Sequence, residues 1–173
     1  MPTIMCTRRL WRVIAGRGQL AQRSPSPNDE GKLQVWSARE LFTPSGALVV
    51  ALEETTYLTV VCPLLPLPGF CRSLAASVGV QLETLGIPRR TCEAEASAIG
   101  TRSRFARNDN RSLLGSLNDV TWRVAEAFGG RYACDPTAIE AVQAELNEMP
   151  HAGREPPFPS QAVRLLFMPG ASA

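Results

Sequence analysis

Two adjacent apolar runs near the middle of the chain constrain its fold more than any other feature. Residues 47–52 and 56–62 are rich in the residue types that favour β-strands, and the polar residues 53–55 join them with a connection of hairpin length. The first run is almost continuously apolar, which is typical of a strand inside a sheet. Pro63 ends the second run, because proline has no N–H to donate to a neighbouring strand. The pattern predicts a central β-hairpin over about 47–62.

Helical periodicity occurs on both sides of this hairpin. Apolar residues recur at three- and four-residue spacing in four segments: residues 10–14, 70–85, 112–128 and 139–146. Thr7 and Asp135 precede the first and the last of these segments and are suitable helix caps. Gly86 and Pro88 close the second helix and begin another over 88–99, so that this pair is predicted to form a helical hairpin.

Shorter segments complete the prediction. They are a strand at Thr3–Cys6, a surface loop over 22–31, a short helix or turn at Trp36–Phe42, an extended or irregular stretch over 101–110, and a strand or short helix over 162–168. Together these elements predict a single α+β domain over residues 1–173, with a small, largely antiparallel sheet covered by helices. Residues 135–173 form its acidic C-terminal helix and proline-rich tail.

Composition excludes several classes of protein. With 173 residues, 45% of them hydrophobic, and a net charge of +2, the chain is long enough for one soluble core. The N-terminus lacks the apolar run of a secretory signal, and no apolar run is long enough to span a membrane, so we expect a cytoplasmic protein with no membrane partner. Five cysteines without a C-x-x-C pair, and His151 as the single histidine, lead us to expect reduced thiols, no metal site and no cofactor.

The densest group of polar residues is Asn110–Asp119. On a helix, Ser112, Gly115, Ser116 and Asp119 share one face, and Arg111 stands just before the helix start. Amides at a helix start together with an arginine can bind an anion, which makes Arg111, Ser112, Asn118 and Asp119 candidate catalytic residues. A purely structural interpretation is also open: Ser112 caps the helix, Gly115 allows close packing, and Asn118 and Asp119 bond to a neighbouring loop. Two isolated aspartates, Asp109 and Asp119, make only a weak case for a metal ion.

This segment resembles a known family. Asn-Arg-Ser-x-x-Gly-Ser-x-Asn-Asp at 110–119 is similar to the signature of an uncharacterised bacterial domain-of-unknown-function family. Residues 4–10 resemble that family's opening Cys-Thr-(Lys/Arg)-(Lys/Arg)-Leu, residues 36–38 its Trp-Tyr-Ala, and residues 54–63 its hairpin. The resemblance covers about residues 3–128 and implies a fold and a candidate site, but no activity. This chain departs from the pattern around the tryptophan, where the family has Gly-Asp before it and an asparagine in the place of Arg39.

Arginines dominate the basic residues and fall into two clusters. All but one of the 18 basic residues are arginine; five arginines and no acid lie within residues 1–28, and four arginines lie within 102–111 beside Asp109 alone. Residues 126–155 are acidic. If the two basic segments meet, with Trp11 and Phe105 between them, they form one binding face. Its predicted members are Arg8, Arg9, Arg12, Arg102, Arg104, Arg107, Asn110 and Arg111. The alternative is that these arginines pair with the chain's own acidic helix.

Two functional hypotheses follow. The first is a small bacterial or mobile-element protein that acts as a non-catalytic binding or regulatory module, inhibitors included, and contacts a macromolecular partner, protein or nucleic acid, through the arginine-rich face. The second is a small enzyme that acts on a phosphate-containing substrate, such as a ribonuclease-like toxin. There Arg111 would bind phosphate, Ser112 and Asn118 would orient it, and Asp119 would act as the base. The sequence leaves homo-oligomerisation open.

Overall fold

A five-stranded mixed sheet lies at the centre of the computed structural model, which describes residues 1–16, 31–129 and 135–168. The strands are β1 (Thr3–Cys6), β2 (Val35–Thr43), β3 (Gly46–Glu53), β4 (Thr59–Pro63) and β5 (Arg104–Arg107). The helices of the described residues are α1 (Arg8–Ala15), α2 (Gly69–Thr84), α3 (Arg89–Arg102), α4 (Arg111–Phe128), α5 (Pro136–Asn147) and α6 (Pro159–Phe167). The α+β fold class is confirmed, and β3 and β4 confirm the predicted central hairpin.

The strands follow the order β4-β3-β2-β1-β5 across the sheet. Strands β2, β3 and β4 are antiparallel neighbours, whereas β1 is parallel to both β2 and β5. The predicted hairpin therefore forms the antiparallel part of the sheet together with β2. The parallel part carries no comparable sequence signal, because parallel neighbours need a longer crossover connection instead of a tight turn.

The helix or turn predicted for Trp36–Phe42 is wrong, because this segment forms most of β2. Its side chains alternate: Trp36 is buried on one face of the sheet, and Leu41 packs on the other. A charged residue within the run hides that alternation. Glu40 is nevertheless buried, because its carboxylate accepts a hydrogen bond from the Thr7 hydroxyl at 2.8 Å. Short apolar runs of this kind do not distinguish a strand from a helix by periodicity alone.

Helices cover both faces of the sheet. One face packs against α1, α2, α3 and α6 around the fully buried Trp36 and Phe70. The other face packs against α4 and α5 around Leu117 and Phe128. The predicted buried stripes of α2, α4 and α5 are confirmed, and each fully buried side chain of this size contributes about 1.5–3 kcal/mol to folding. On α1, by contrast, Val13 is exposed instead of belonging to the buried face.

The helix termini confirm two of the predicted caps and correct a third. The Thr7 side chain accepts from the Leu10 amide at 3.2 Å, and Asp135 caps α5 in the same way. Ser112 does not cap α4, because the helix begins at Arg111 and the preceding Asn110 is the cap. Of the two alternatives for residues 162–168, the helix is correct, as α6. Within the stretch predicted as extended or irregular, residues 104–107 form β5.

The predictions for the cysteines, for the membrane and for a metal site can be compared with the structure over the described ranges. Cys6, Cys62, Cys71 and Cys92 are buried free thiols. Cys134, Arg17, Arg23 and, apart from Gly31, the loop over 22–31 lie outside the described residues. Within the described ranges no helix combines the length and apolarity needed to cross a membrane. Nor does any group of three or more His, Cys, Asp or Glu side chains there come together as a metal site.

Candidate functional site

The start of α4 is tied to the connection that follows β3. The Asn110 side-chain oxygen accepts from the Leu113 amide at 3.1 Å, and its side-chain nitrogen donates to Glu54 at 2.9 Å. Asparagine is among the best N-cap residues, because its oxygen satisfies an amide that the first turn leaves without a partner. One residue therefore both starts the helix and fixes its position beside the β3–β4 connection.

The polar face predicted on α4 lines a cleft of about 440 Å³. Ser112, Ser116, Asp119 and Arg123 supply one side of this cleft, one helical turn after another. The opposite side comes from Tyr57 and from the segment after α5, residues 149–154. We call this space the α4 cleft. Gly115, the remaining residue of the predicted face, does not line it, and a side chain there would meet open space.

Tyr57, His151 and Arg154 form a contact group on the opposite side of the cleft. The Tyr57 and His151 rings meet edge to face with their centres 4.9 Å apart. The Arg154 guanidinium lies over the Tyr57 ring, with its central carbon 4.2 Å from the ring centre, in a cation–π contact. It also donates to the backbone carbonyl oxygens of Thr55 and Glu54. These contacts hold the segment after α5 against the β3–β4 connection.

A buried carboxylate shapes the connection that carries Tyr57. Glu53, fully buried at the end of β3, accepts hydrogen bonds from the Thr55 amide at 2.9 Å, the Thr56 amide at 2.7 Å and the Thr56 hydroxyl at 2.9 Å. Tyr57 then adopts a φ of 60°, the left-handed conformation that residues other than glycine rarely take. The tight turn around Glu53 thus places the tyrosine ring at the cleft.

Electrostatics favours a neutral imidazole in this cleft. Burial lowers the pKa of His151 most, and the charges of Arg154 and Arg123 lower it further, while Asp119 opposes them. A neutral imidazole has one nitrogen that donates and one that accepts. His151 can therefore accept a proton from a ligand or donate a hydrogen bond to one. An anion that approached it would favour the protonated form.

The other candidate residues of the Asn110–Asp119 segment lie away from the cleft. Arg111 is exposed and does not line it. The Asn118 side-chain oxygen accepts a hydrogen bond from Arg39 of β2, so Asn118 fastens α4 to the sheet. Asp109 is exposed in the short segment between β5 and α4. The structure thus brings Ser112 and Asp119 together in the cleft and leaves Arg111 and Asn118 out of it.

The two arginine-rich segments, within 1–28 and 102–111, are joined by a contact between two aromatic rings. Trp11 of α1 contacts Phe105 of β5, with ring centres 5.3 Å apart, because β1 and β5 are neighbours in the sheet. Arg107, the last residue of β5, pairs with Cys6, and the exposed Arg8 begins α1 two residues after Cys6.

The remaining arginines of that predicted face are placed differently. Arg9 contacts Glu40 of β2 at 3.4 Å and is thus engaged with the sheet. Arg104 pairs with Thr3 at the opposite end of β1 from Arg107, and Arg102 precedes it at the end of α3. Because Arg104 and Arg107 are three residues apart on a strand, their side chains point to opposite faces. The acidic helix α5 packs on the sheet face that α1 does not cover.

Four residues that line the α4 cleft were not among the predicted site residues: Tyr57, Arg123, His151 and Arg154. Arg123 continues the α4 face one turn beyond Asp119, so extending the spacing would have found it. The signal at His151 was its position as the single histidine of the chain, three residues before an arginine. No local pattern indicates that Tyr57 lines a cleft, because it belongs to a segment that is predicted to form a strand.

The fold and the cleft define a small α+β protein with a polar ligand-sized cleft between α4 and the segment after α5. The chain belongs to the family described as a domain of unknown function, DUF6933, whose model matches residues 3–162. The resemblance to an uncharacterised domain family is therefore confirmed, and the match extends beyond residue 128 to include all residues of the α4 cleft. No curated protein and no solved structure matches the chain.

Proposed function

We propose that the protein binds the phosphate group of a ligand in the α4 cleft. The observation that carries this proposal is the convergence of two arginines and the only histidine on one cleft that two serine hydroxyls also line. Arginine binds phosphate oxygens through a pair of parallel N–H donors, and hydroxyl groups add further donors. The volume of about 440 Å³ lies within the range of small-molecule sites.

Asp119 places a negative charge in a cleft whose other ionisable groups are cationic or neutral. Its carboxylate repels an anion, so the phosphate is expected nearer to Arg154, Arg123 and His151 than to Asp119. On its own side of the cleft, the Asp119 carboxylate can accept a hydrogen bond from a hydroxyl group of the ligand. Asp119 and His151 are also residue types that general acid–base catalysis uses. In the enzymatic hypothesis Asp119 therefore keeps its predicted role as the base and His151 joins it, while Arg111 and Asn118 lie outside the cleft. Phosphate binding is the first requirement of that hypothesis.

The single histidine makes the proposal directly testable. The ring protons of His151 give isolated NMR signals, which we would follow during titration with inorganic phosphate at constant ionic strength. We expect a saturable shift in the wild-type protein and a weaker one in Arg123→Gln. The matched control is Arg72→Gln, which removes the same charge from an exposed position on α2, across the sheet.

Two outcomes would overturn the proposal. One is a shift that grows linearly with phosphate concentration and never saturates, which indicates no site. The other is an equal loss of affinity in both variants, because the effect would then come from net charge and not from the cleft. Asp119→Asn should bind phosphate more tightly than the wild type, since it removes a repelling charge.

A second candidate function is contact with a macromolecule through α1 and β5. The ring contact between Trp11 and Phe105 favours it, because it joins the two arginine segments. We propose Arg8, Arg12 and Arg107 as the charged members of this surface. Titration with RNA and DNA at two salt concentrations tests it, since phosphate contacts weaken steeply as salt rises. The variant Arg8→Gln/Arg12→Gln should bind more weakly, with a shallower salt dependence, and binding that is insensitive to both changes would refute it.

A further inference from the structure

A second cleft lies next to the α4 cleft and shares three of its residues. Tyr57, His151 and Arg154 line both spaces, and the second has a volume of about 290 Å³. The contact group that closes one side of the α4 cleft therefore also forms a side of its neighbour. A ligand held by Arg154 and His151 has a continuous surface along which it can extend.

The chemistry of the two clefts differs. Most of the surface that lines the second cleft is apolar, in contrast to that of the α4 cleft, and its aliphatic residues are Pro156, Pro157, Ala162, Leu165 and Leu166. Leu165 is 51% exposed, which places a large apolar side chain at the surface beside a cleft that carries two arginines. Thr55, Thr56 and Glu155 add polar groups to its lining.

We infer that the ligand of the α4 cleft is amphiphilic: its phosphate group binds in the α4 cleft, and an apolar chain or ring lies across Tyr57 in the second cleft. This inference rests on the proposed phosphate binding and specifies the class of ligand. Tyr57 suits the boundary between the two parts, because its ring offers an apolar surface while Arg154 stacks on it.

The size of the second cleft favours part of a small molecule over a protein partner. A cleft of about 290 Å³ has room for part of a small ligand, whereas a stable protein interface buries about 800 Å² of surface on each side. A small ligand buries most of its surface in a concave site and needs only a few polar groups to orient it. Here the phosphate group provides the orientation and the apolar part provides the additional area.

A series of alkyl phosphates tests the inference. Inorganic phosphate, methyl phosphate, butyl phosphate and hexyl phosphate would be titrated against the protein, with the His151 ring signals as the readout of the head-group site. Burial of each methylene should increase affinity by about two- to fourfold until the second cleft is filled. Inorganic phosphate itself should bind in all variants described below.

Two variants locate the apolar part of the ligand. Leu165→Ser should flatten the dependence on chain length without changing the affinity for inorganic phosphate. Ala162→Leu should do the same by filling the cleft. Leu65→Ser is the matched control: Leu65 is 42% exposed and follows β4 at the end of the strand opposite to Tyr57, so the dependence on chain length should be retained.

The possible results distinguish this inference from the proposed phosphate binding on which it rests. If inorganic phosphate does not bind, the proposed function fails. If phosphate binds but affinity does not rise with chain length, only the amphiphilic ligand is refuted. If affinity rises equally in the wild type, Leu165→Ser and Ala162→Leu, the apolar part binds elsewhere and the assignment to the second cleft is wrong.

Discussion

Replacing Arg154 by glutamine should raise the pKa of His151. Burial lowers that pKa most, and the charges of Arg154 and Arg123 lower it further against the influence of Asp119. The Tyr57 ring centre is 4.9 Å from the imidazole centre and 4.2 Å from the guanidinium carbon, so the two cations are at most about 9 Å apart. At that distance like charges repel by about 0.5 kcal/mol in water and by about 2 kcal/mol at a dielectric constant of about 20.

The glutamine variant should therefore bind the imidazole proton at least about twofold more tightly than the wild type. We expect a value near this lower end, because His151 is only half-buried and solvent screens its interaction with Arg154. The sign is fixed by the charge: loss of a neighbouring cation stabilises the protonated imidazole.

The assay is an NMR titration of the His151 ring protons between about pH 4 and pH 9, which needs no assignment of other histidines because the chain has one. Arg154→Lys is the control, since it keeps the charge but alters the hydrogen bonds to Thr55 and Glu54. The lysine variant should titrate like the wild type. An equal rise of the pKa in both variants would attribute the effect to a loosened connection, and no rise in the glutamine variant would refute the electrostatic argument.

Three further predictions concern stability and reactivity. Asn110→Ala should lower the free energy of unfolding in urea by about 1 kcal/mol through loss of the cap, while Asn118→Ala, exposed on the same helix, should lower it by less than about 0.5 kcal/mol; equal losses would contradict the capping role. Burial raises the pKa of Glu53, so the folded protein holds this proton more tightly than the unfolded chain, and stability should fall as the pH rises from about 4.5 through the folded-state pKa. Urea denaturation at a series of pH values should show a flatter dependence in Glu53→Gln, and an unchanged one would count against this linkage. Burial also raises the pKa of the Cys62 thiol to about 12, so peptide mass spectrometry should find Cys62 unmodified after iodoacetamide treatment of the folded protein and alkylated after denaturation; rapid labelling of the folded protein would show that the thiol is accessible.

The parts of the fold that were predictable from sequence are those whose signal is local. The hairpin of β3 and β4 has two apolar runs and a short polar connection, and α2, α4 and α5 each show one buried stripe. Strand β2 was not predictable in this way, because Glu40 is buried through a hydrogen bond from Thr7, which is 33 residues away. Its extended conformation follows from its position between β1 and β3, and both neighbours are needed to specify it.

The candidate site also has parts with a local sequence signal and parts that depend on contacts between distant residues. The spacing of Ser112 and Asp119 is a property of one helix, so their common face could be predicted before their surroundings were known. Asn118 and Asp119 are adjacent in sequence, yet a rotation of about 100° per residue turns one toward Arg39 of β2 and the other into the cleft. Within one short polar segment, therefore, Asn110 and Asn118 fix the helix to its neighbours, whereas Ser112, Ser116 and Asp119 line the cleft. The chemistry of the cleft is completed by His151, which reaches it because α5 packs beside α4 and returns the chain to the start of that helix. A residue of such a segment therefore lines a cleft or anchors the helix according to which element packs against its side of the helix.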